Sequence, residues 1–145
     1  MLNGLFFFFL FAGTVVRAQS TYIQDEKFGR VWTRLEKTAG FTRTDPDRNL
    51  QEYFSKFYSQ NLTLPPGFKG LVLLTLIIDG EGFANLSKAT SSNPEVNLEK
   101  LEIKKCINEM PRWIPAVQND RKVPFQVLLS LSFEGNKVLM RNLRY

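Results

Sequence analysis

The chain has 145 residues, of which 43% are hydrophobic, and its formal net charge is +5. A chain of this length can build one hydrophobic core of ordinary size, so a single folded domain is expected. The basic residues are spread along the chain, which excludes the clustered basic stripe typical of nucleic-acid-binding proteins. Histidine is absent, so the commonest general base and the commonest zinc ligand are missing. We therefore expect no enzyme activity, no metal, no cofactor and no nucleic-acid partner.

The amino terminus, MLNGLFFFFLFAGTVV, is an apolar run. A run of roughly a dozen apolar residues is typical of a signal peptide and is too short to cross a bilayer. Val16-Arg17-Ala18 has the small-x-small character of a cleavage site, so residues 1–18 are predicted to be removed and the mature chain to begin near Gln19. This favours a periplasmic protein, with an uncleaved amino-terminal anchor as the alternative.

Residues 19–63 are predicted to form two helices separated by a Gly/Pro/Asp-rich break. In TYIQDEKFGRVWTRLEK and in RNLQEYFSKFYSQNL, apolar residues recur three or four positions apart, as on one face of a helix: Phe28, Val31, Trp32 and Leu35 in the first, and Leu50, Phe54, Phe57 and Tyr58 in the second.

The segment that follows LPPGFKG reads as a β-hairpin. GLVLLTLIIDG is rich in aliphatic residues, Asp79-Gly80-Glu81-Gly82 is a turn signal, and FANLSKATSS supplies the second strand. Both faces of the first strand are apolar, so each face needs a cover. The amino-terminal helices or another subunit are the expected second cover.

A helix and a strand are predicted next. VNLEKLEIKKCINEM should be a helix that ends at Met110, because Pro111 follows. Cys106, the one cysteine, lies on its apolar stripe and is expected to be a buried, unreactive thiol. From Phe125 to Glu134 apolar and polar residues alternate, which predicts a strand, whereas the tail at residues 136–145 is ambiguous.

The order of these elements resembles the carboxy-terminal domain of TonB-type energy transducers, in the stand-alone form of the Bacteroidetes type. The residues that carry the resemblance are a glycine that opens a strand, an Asp-Gly hairpin, a Pro-x-Trp-x-Pro-Ala motif after a helix, and a final strand that ends in phenylalanine. In this chain they are Gly70, Asp79, Gly80, Pro111, Trp113, Pro115, Ala116 and Phe133.

The resemblance implies an α+β fold over residues 64–135, in which a three-stranded antiparallel sheet packs on a helix and two amino-terminal helices precede it. It also implies binding of an extended peptide from an outer-membrane receptor or another envelope protein, by strand addition at an open sheet edge. The last strand is the expected edge, with partner-binding residues Val123, Phe125, Gln126, Val127, Leu128, Ser130 and Ser132.

Two other functions stay open at this stage. The domain could be a structural or homodimeric envelope module with no role in transport. A secreted inhibitor is the third alternative, because Asn61-Leu62-Thr63 and Asn85-Leu86-Ser87 match glycosylation sequons, although we interpret these as chance matches. Within Pro111–Ala116, Trp113 is expected to pack as a large apolar side chain and Pro115 to fix the turn toward the last strand.

Overall fold

The structure is a computed structural model that describes residues 21–35 and 37–143. The predicted signal peptide at residues 1–18 therefore lies outside the described residues. Within them, the elements in chain order are β1 (Thr21–Asp25), β2 (Gly29–Arg34), α1 (Pro46–Gln60), β3 (Lys69–Ile78), β4 (Ala84–Ser91), α2 (Ile103–Asn108), β5 (Ala116–Gln118), β6 (Arg121–Val123), β7 (Phe125–Glu134) and β8 (Lys137–Asn142).

A six-stranded sheet dominates the fold. Its order is β1-β2-β7-β3-β4, and β8 also pairs with β7. The strand β7 pairs with β3 along its whole length in antiparallel fashion. On its other side, β7 meets β2 at the single parallel pair Trp32–Phe125 and pairs with β8 from Leu129 onward. The short strands β5 and β6 form a separate hairpin.

The predicted fold class is therefore wrong. Over the described residues the protein is mostly β, with a large curled sheet and two helices, instead of a three-stranded sheet on a helix preceded by two helices. The first predicted helix is the β1–β2 hairpin. Its turn is closed by the Asp25 carboxylate, which accepts the backbone N–H groups of Lys27 and Phe28, and by Gly29 at φ +69°. These local bonds favour a reversal of the chain over a continuous helix.

The helix predicted before Pro111 is much shorter than expected. Only Ile103–Asn108 is α-helical, because asparagine side chains close turns upstream of it. The Asn93 side chain accepts the N–H of Glu95, and the Asn97 side chain accepts the N–H groups of Glu99 and Lys100. Asparagine often competes with helical hydrogen bonding in this way.

Other predictions are confirmed. The helix α1 buries the predicted face, and β3 and β4 form the predicted hairpin. In β7 the predicted alternation is seen, with Phe125, Val127, Leu129, Leu131 and Phe133 all buried. These side chains, the matching face of β3, the inward residues of β8, α1 and the segment around α2 form one hydrophobic core.

The second face of the sheet is covered only in part. The β1–β2 turn lines a groove together with Asn85 and Ser87 of β4, so the hairpin crosses this face from β7 toward β4. On this face of β3, Ile77 is 2% exposed, whereas Leu71 and Leu73 are 43% and 47% exposed. Among residues 21–35 and 37–143, the hairpin thus covers one end of the face and leaves the other end open.

Candidate binding surfaces

The strand predicted to bind a partner lies inside the sheet. Of the predicted partner-binding residues, Val123 belongs to β6 and the others belong to β7. Phe125 and Val127 point into the core, and Ser130 is 8% exposed. Because β3 occupies one side of β7 and β2 and β8 share the other, the expectation that β7 is an open edge is corrected.

A small cleft remains where β2 and β8 diverge on the side of β7. It has a volume of about 160 Å³ and includes Gln126, Val127 and Leu128 in its lining. Its two ends are fixed by backbone hydrogen bonds: Trp32 donates to Pro124, and Leu143 donates to Leu128. With Phe125, which also lines it, the cleft brings together four of the predicted partner-binding residues, but its volume suits a side chain and not a strand.

The edge strand β8 is protected by a glutamine side chain from α1. The Gln51 amide nitrogen donates to the Val138 carbonyl at 2.8 Å, and its amide oxygen accepts the Met140 N–H at 2.6 Å. The primary amide therefore pairs with the outer edge of β8 as a neighbouring peptide group would. Covering an edge in this way reduces its tendency to pair with another chain, so β8 is a poor site for strand addition.

Within the described residues, β4 ends the strand order next to β3, so its outer edge is the unpaired ladder edge of the β3–β4 hairpin. Leu128 turns its carbonyl toward the β8 side, and the alternation of antiparallel ladders fixes the direction of every other backbone group in β7 and β3. The backbone groups of Leu73 point toward β4, so those of its partner Thr90 point toward β3. The backbone groups of the neighbouring residues Ala89 and Ser91 therefore point away from β3. Among residues 21–35 and 37–143, no backbone or side-chain group bonds to these outward groups.

A groove lies at the start of this edge. Its volume is about 540 Å³, and its lining comes from the β1–β2 turn, from β3, from β4 and from α2: Asp25, Glu26, Lys27, Phe28, Ile77, Asn85, Leu86, Ser87, Lys104 and Asn108. Ser87 is the extra residue of a bulge, because Thr75 pairs with Lys88 while Leu76 pairs with Leu86. The groove carries both charges and amides, so it offers polar contacts on either side of an added strand.

The Pro111–Ala116 motif is structural. Trp113 is 4% exposed, and its ring lies 5.3 Å from that of Phe41 in an edge-on arrangement. Its backbone N–H donates to Gly82 at 2.8 Å, and Ile114 exchanges backbone hydrogen bonds with Gly40. Ala116, which follows Pro115, is fully buried at the start of β5. The predicted packing role of Trp113 is confirmed.

The other residues of the resemblance also hold the hairpin and its surroundings in place. The Asp79 carboxylate accepts the N–H groups of Glu81 and Phe83, which closes the turn that contains Gly80. A side chain at Gly70 would lie 3.0 Å from Val96. Phe133 packs edge-on against Tyr58 at 4.9 Å. Sequence reasoning found these residues, but it missed Gln51, which has no motif around it.

The described part of the chain offers little for catalysis. It contains no group of three or more metal-binding side chains. Burial raises the pKa of Cys106 to about 12, so this thiol is not a nucleophile near neutral pH. The hydroxyl groups of Tyr53 and Tyr58 are used to hold the segment around α2, since they donate to the carbonyls of Cys106 and Leu101.

Alkaline pH is expected to destabilise the protein. Burial raises the pKa of Cys106 from 9.0 to about 12, and burial also raises the pKa values of Tyr53 and Tyr58. The unfolded chain therefore loses protons that the folded chain retains, so stability falls as pH rises above about 9, by up to about 1.4 kcal/mol per pH unit for Cys106. Urea unfolding from pH 7 to 11 measures this fall.

The control for this measurement is Cys106→Ala, which should show a shallower fall because the thiol no longer titrates. A free energy of unfolding that stayed constant to pH 11 in the original protein would contradict the prediction.

No family model, curated protein or solved structure matches this chain. Within residues 21–35 and 37–143, neither helix has the length and apolar content needed to traverse a membrane.

Proposed function

We propose that the protein is a non-catalytic, periplasmic binding module that takes an extended segment of an outer-membrane receptor or another envelope protein as an additional strand beside β4. The observation that carries the proposal is the open outer edge of β4, where the backbone groups of Ala89 and Ser91 have no partner among the described residues. An extended peptide satisfies such groups by main-chain hydrogen bonds.

The surroundings of β4 support this mode of binding. The strand is eight residues long, long enough to pair with a short peptide. The groove between the β1–β2 turn and α2 places Lys27 and Lys104 on its sides, where they can meet side chains or a terminal carboxylate of the added strand. The resemblance to TonB carboxy-terminal domains favours the same kind of ligand.

Proline at Ala89 is expected to weaken peptide binding by about tenfold or more, because it removes an outward N–H and places a ring at the edge. The fold should be kept, since the ladder bonds to β3 come from the neighbouring Thr90. The measurement is binding of 12-residue peptides, selected on the original protein from a random displayed library, to the original protein and to Ala89→Pro.

Ala89→Ser is the matched control, because it changes the same side chain and keeps the amide. Peptides that bound Ala89→Pro and the original protein equally well would overturn the placement beside β4. Protein recovered from the envelope fraction should be used, because its intact mass also tests cleavage before Gln19. If no peptide were selected and light scattering showed a dimer, these results would favour the alternative function, that of a structural or dimerising envelope module.

A further inference from the structure

The uncovered end of the second sheet face forms a groove. Leu71 and Leu73 on β3 stand along one side, and Leu139 on β8 and Leu143 just after it stand along the other. Between them lie Ser130 and Ser132 of β7, through the cross-strand pairs Leu73–Ser130 and Leu71–Ser132. We call this surface the leucine groove; its recess has a volume of about 400 Å³.

The spacing of the leucine groove fits one row of helix side chains. The two sides are two strands apart, or about 10 Å, and successive leucines on β3 are roughly 7 Å apart. The floor of the groove is low because the side chains of Ser130 and Ser132 are small. The leucines on the two sides are between 40% and 52% exposed. They form an apolar strip on a sheet face, and apolar sheet faces are normally buried against a second layer.

The charges around the leucine groove are mostly basic. Cross-strand register places Arg141 beside Ser130 and Lys88 beside Thr75. At the open end of the groove, Glu134 lies between Lys69 and Lys137. The four basic side chains are exposed, and within the described ranges none of them makes an ion pair. A surface with four basic groups and one acidic group disfavours a second copy of itself and favours an acidic partner.

We propose that the leucine groove binds an acidic amphipathic α-helix of a partner protein, whose apolar row lies between the leucines and whose carboxylates face Arg141 and the surrounding lysines. A helix presents such a row at positions i, i+3, i+4 and i+7. The recess between the leucines of β3 and β8, with serines at its floor, fits a rod better than it fits a flat lipid surface.

The test uses the purified protein and two synthetic helical peptides of the same length and leucine pattern, one with glutamates and one with lysines on the polar face. Fluorescence anisotropy should show that the glutamate peptide binds at least about tenfold more tightly than the lysine peptide. Its binding should weaken as salt concentration rises. Equal binding of the two peptides would overturn the proposal.

Matched variants locate the site. Leu73→Ser and Arg141→Glu should each weaken binding of the glutamate peptide by about tenfold, whereas Ile114→Ser, which removes an exposed aliphatic side chain elsewhere, should not. Leu73 and Arg141 are exposed, so both variants should fold, and urea unfolding checks this. Unchanged binding in both variants would overturn the proposal.

Two other occupants give different results. A dimer by light scattering that Leu73→Ser dissociates would show that a second copy fills the groove. Co-sedimentation with phosphatidylglycerol vesicles that Leu73→Ser abolishes would show a membrane surface. Either result would overturn the helix proposal. Ala89 does not line the groove, and its pairing with Leu74 places its side chain on the opposite face of the sheet. Ala89→Pro should therefore leave binding of the glutamate peptide unchanged.

Discussion

Replacing Trp113 with alanine is expected to lower the free energy of unfolding by about 3–5 kcal/mol, the range for deleting a large buried aromatic side chain. Trp113 is 4% exposed and packs edge-on against Phe41, which lies between β2 and α1. The deletion would therefore leave a cavity where the Pro111–Ala116 motif meets the rest of the core. Urea unfolding of the two proteins measures the difference.

Trp113→Phe is the informative control. Within the described parts of the chain, the indole N–H of Trp113 is buried and has no hydrogen-bond partner, a state that costs about 1–3 kcal/mol. Phenylalanine removes this donor together with part of the ring, so the two effects oppose each other and the loss should be well below that of alanine. If Trp113→Ala unfolded at the same urea concentration as the original protein, Trp113 would have no important packing role.

The parts of the fold that were predictable are those in which one local signal dominates. In β7 every second residue from Phe125 to Phe133 is apolar, and Leu128 is the one apolar residue on the other face. The helix α1 has four apolar residues at helical spacing with Pro46 at its start. The β3–β4 hairpin has Asp79-Gly80 in a turn that the carboxylate and the backbone groups of Asp79 close together. In these segments propensity, pattern and turn chemistry agree, and such agreement favours one structure.

The β1–β2 hairpin was missed because two signals conflicted. Phe28, Val31, Trp32 and Leu35 match helical spacing, but Thr21-Tyr22-Ile23 and Val31-Trp32-Thr33 are β-branched and aromatic, which favours strands. The residues between them, Asp25 to Gly29, could have been read as a turn. Asn93 and Asn97 could also have been read as turn residues, because their side chains accept backbone N–H groups in turns where a longer helix was predicted.

The place of β7 in the sheet could not be read from its own sequence. An edge strand and a central strand that has one polar face can share the same alternation, and the difference here comes from β8 and from one contact with β2. The contact between Trp32 and Phe125 joins residues far apart in the chain. By contrast, β7 and β8 form a local hairpin through Gly135 and Asn136, in a tail whose sequence pattern was ambiguous. The protection of β8 by Gln51, which is 87 residues from Val138, is likewise set by tertiary packing alone.

The backbone conformation of the β3–β4 turn and the close approach of Trp113 both require glycine at residue 82. Gly82 has φ +91°, and a Cβ built there would lie 2.2 Å from the Trp113 carbonyl oxygen. Gly82→Ala therefore combines backbone strain, which costs about 1–3 kcal/mol, with a clash that must push the Pro111–Ala116 segment away from the hairpin. We expect a total loss of about 3 kcal/mol or more, measured by urea unfolding.

Gly80→Ala in the same turn is the control. It tests whether the loss at residue 82 comes from the close approach of Trp113 or from a general need for glycine in the turn. A Cβ at Gly80 would lie 3.4 Å from the Lys122 carbonyl oxygen, an ordinary contact, so its cost should stay near the roughly 0.5 kcal/mol of a surface substitution. Equal losses for the two variants would show that the approach of Trp113 to Gly82 has no special role. A large loss confined to Gly82→Ala would mean that the Pro111–Ala116 segment holds the turn from which β4 starts, and hence the edge where we place the partner strand.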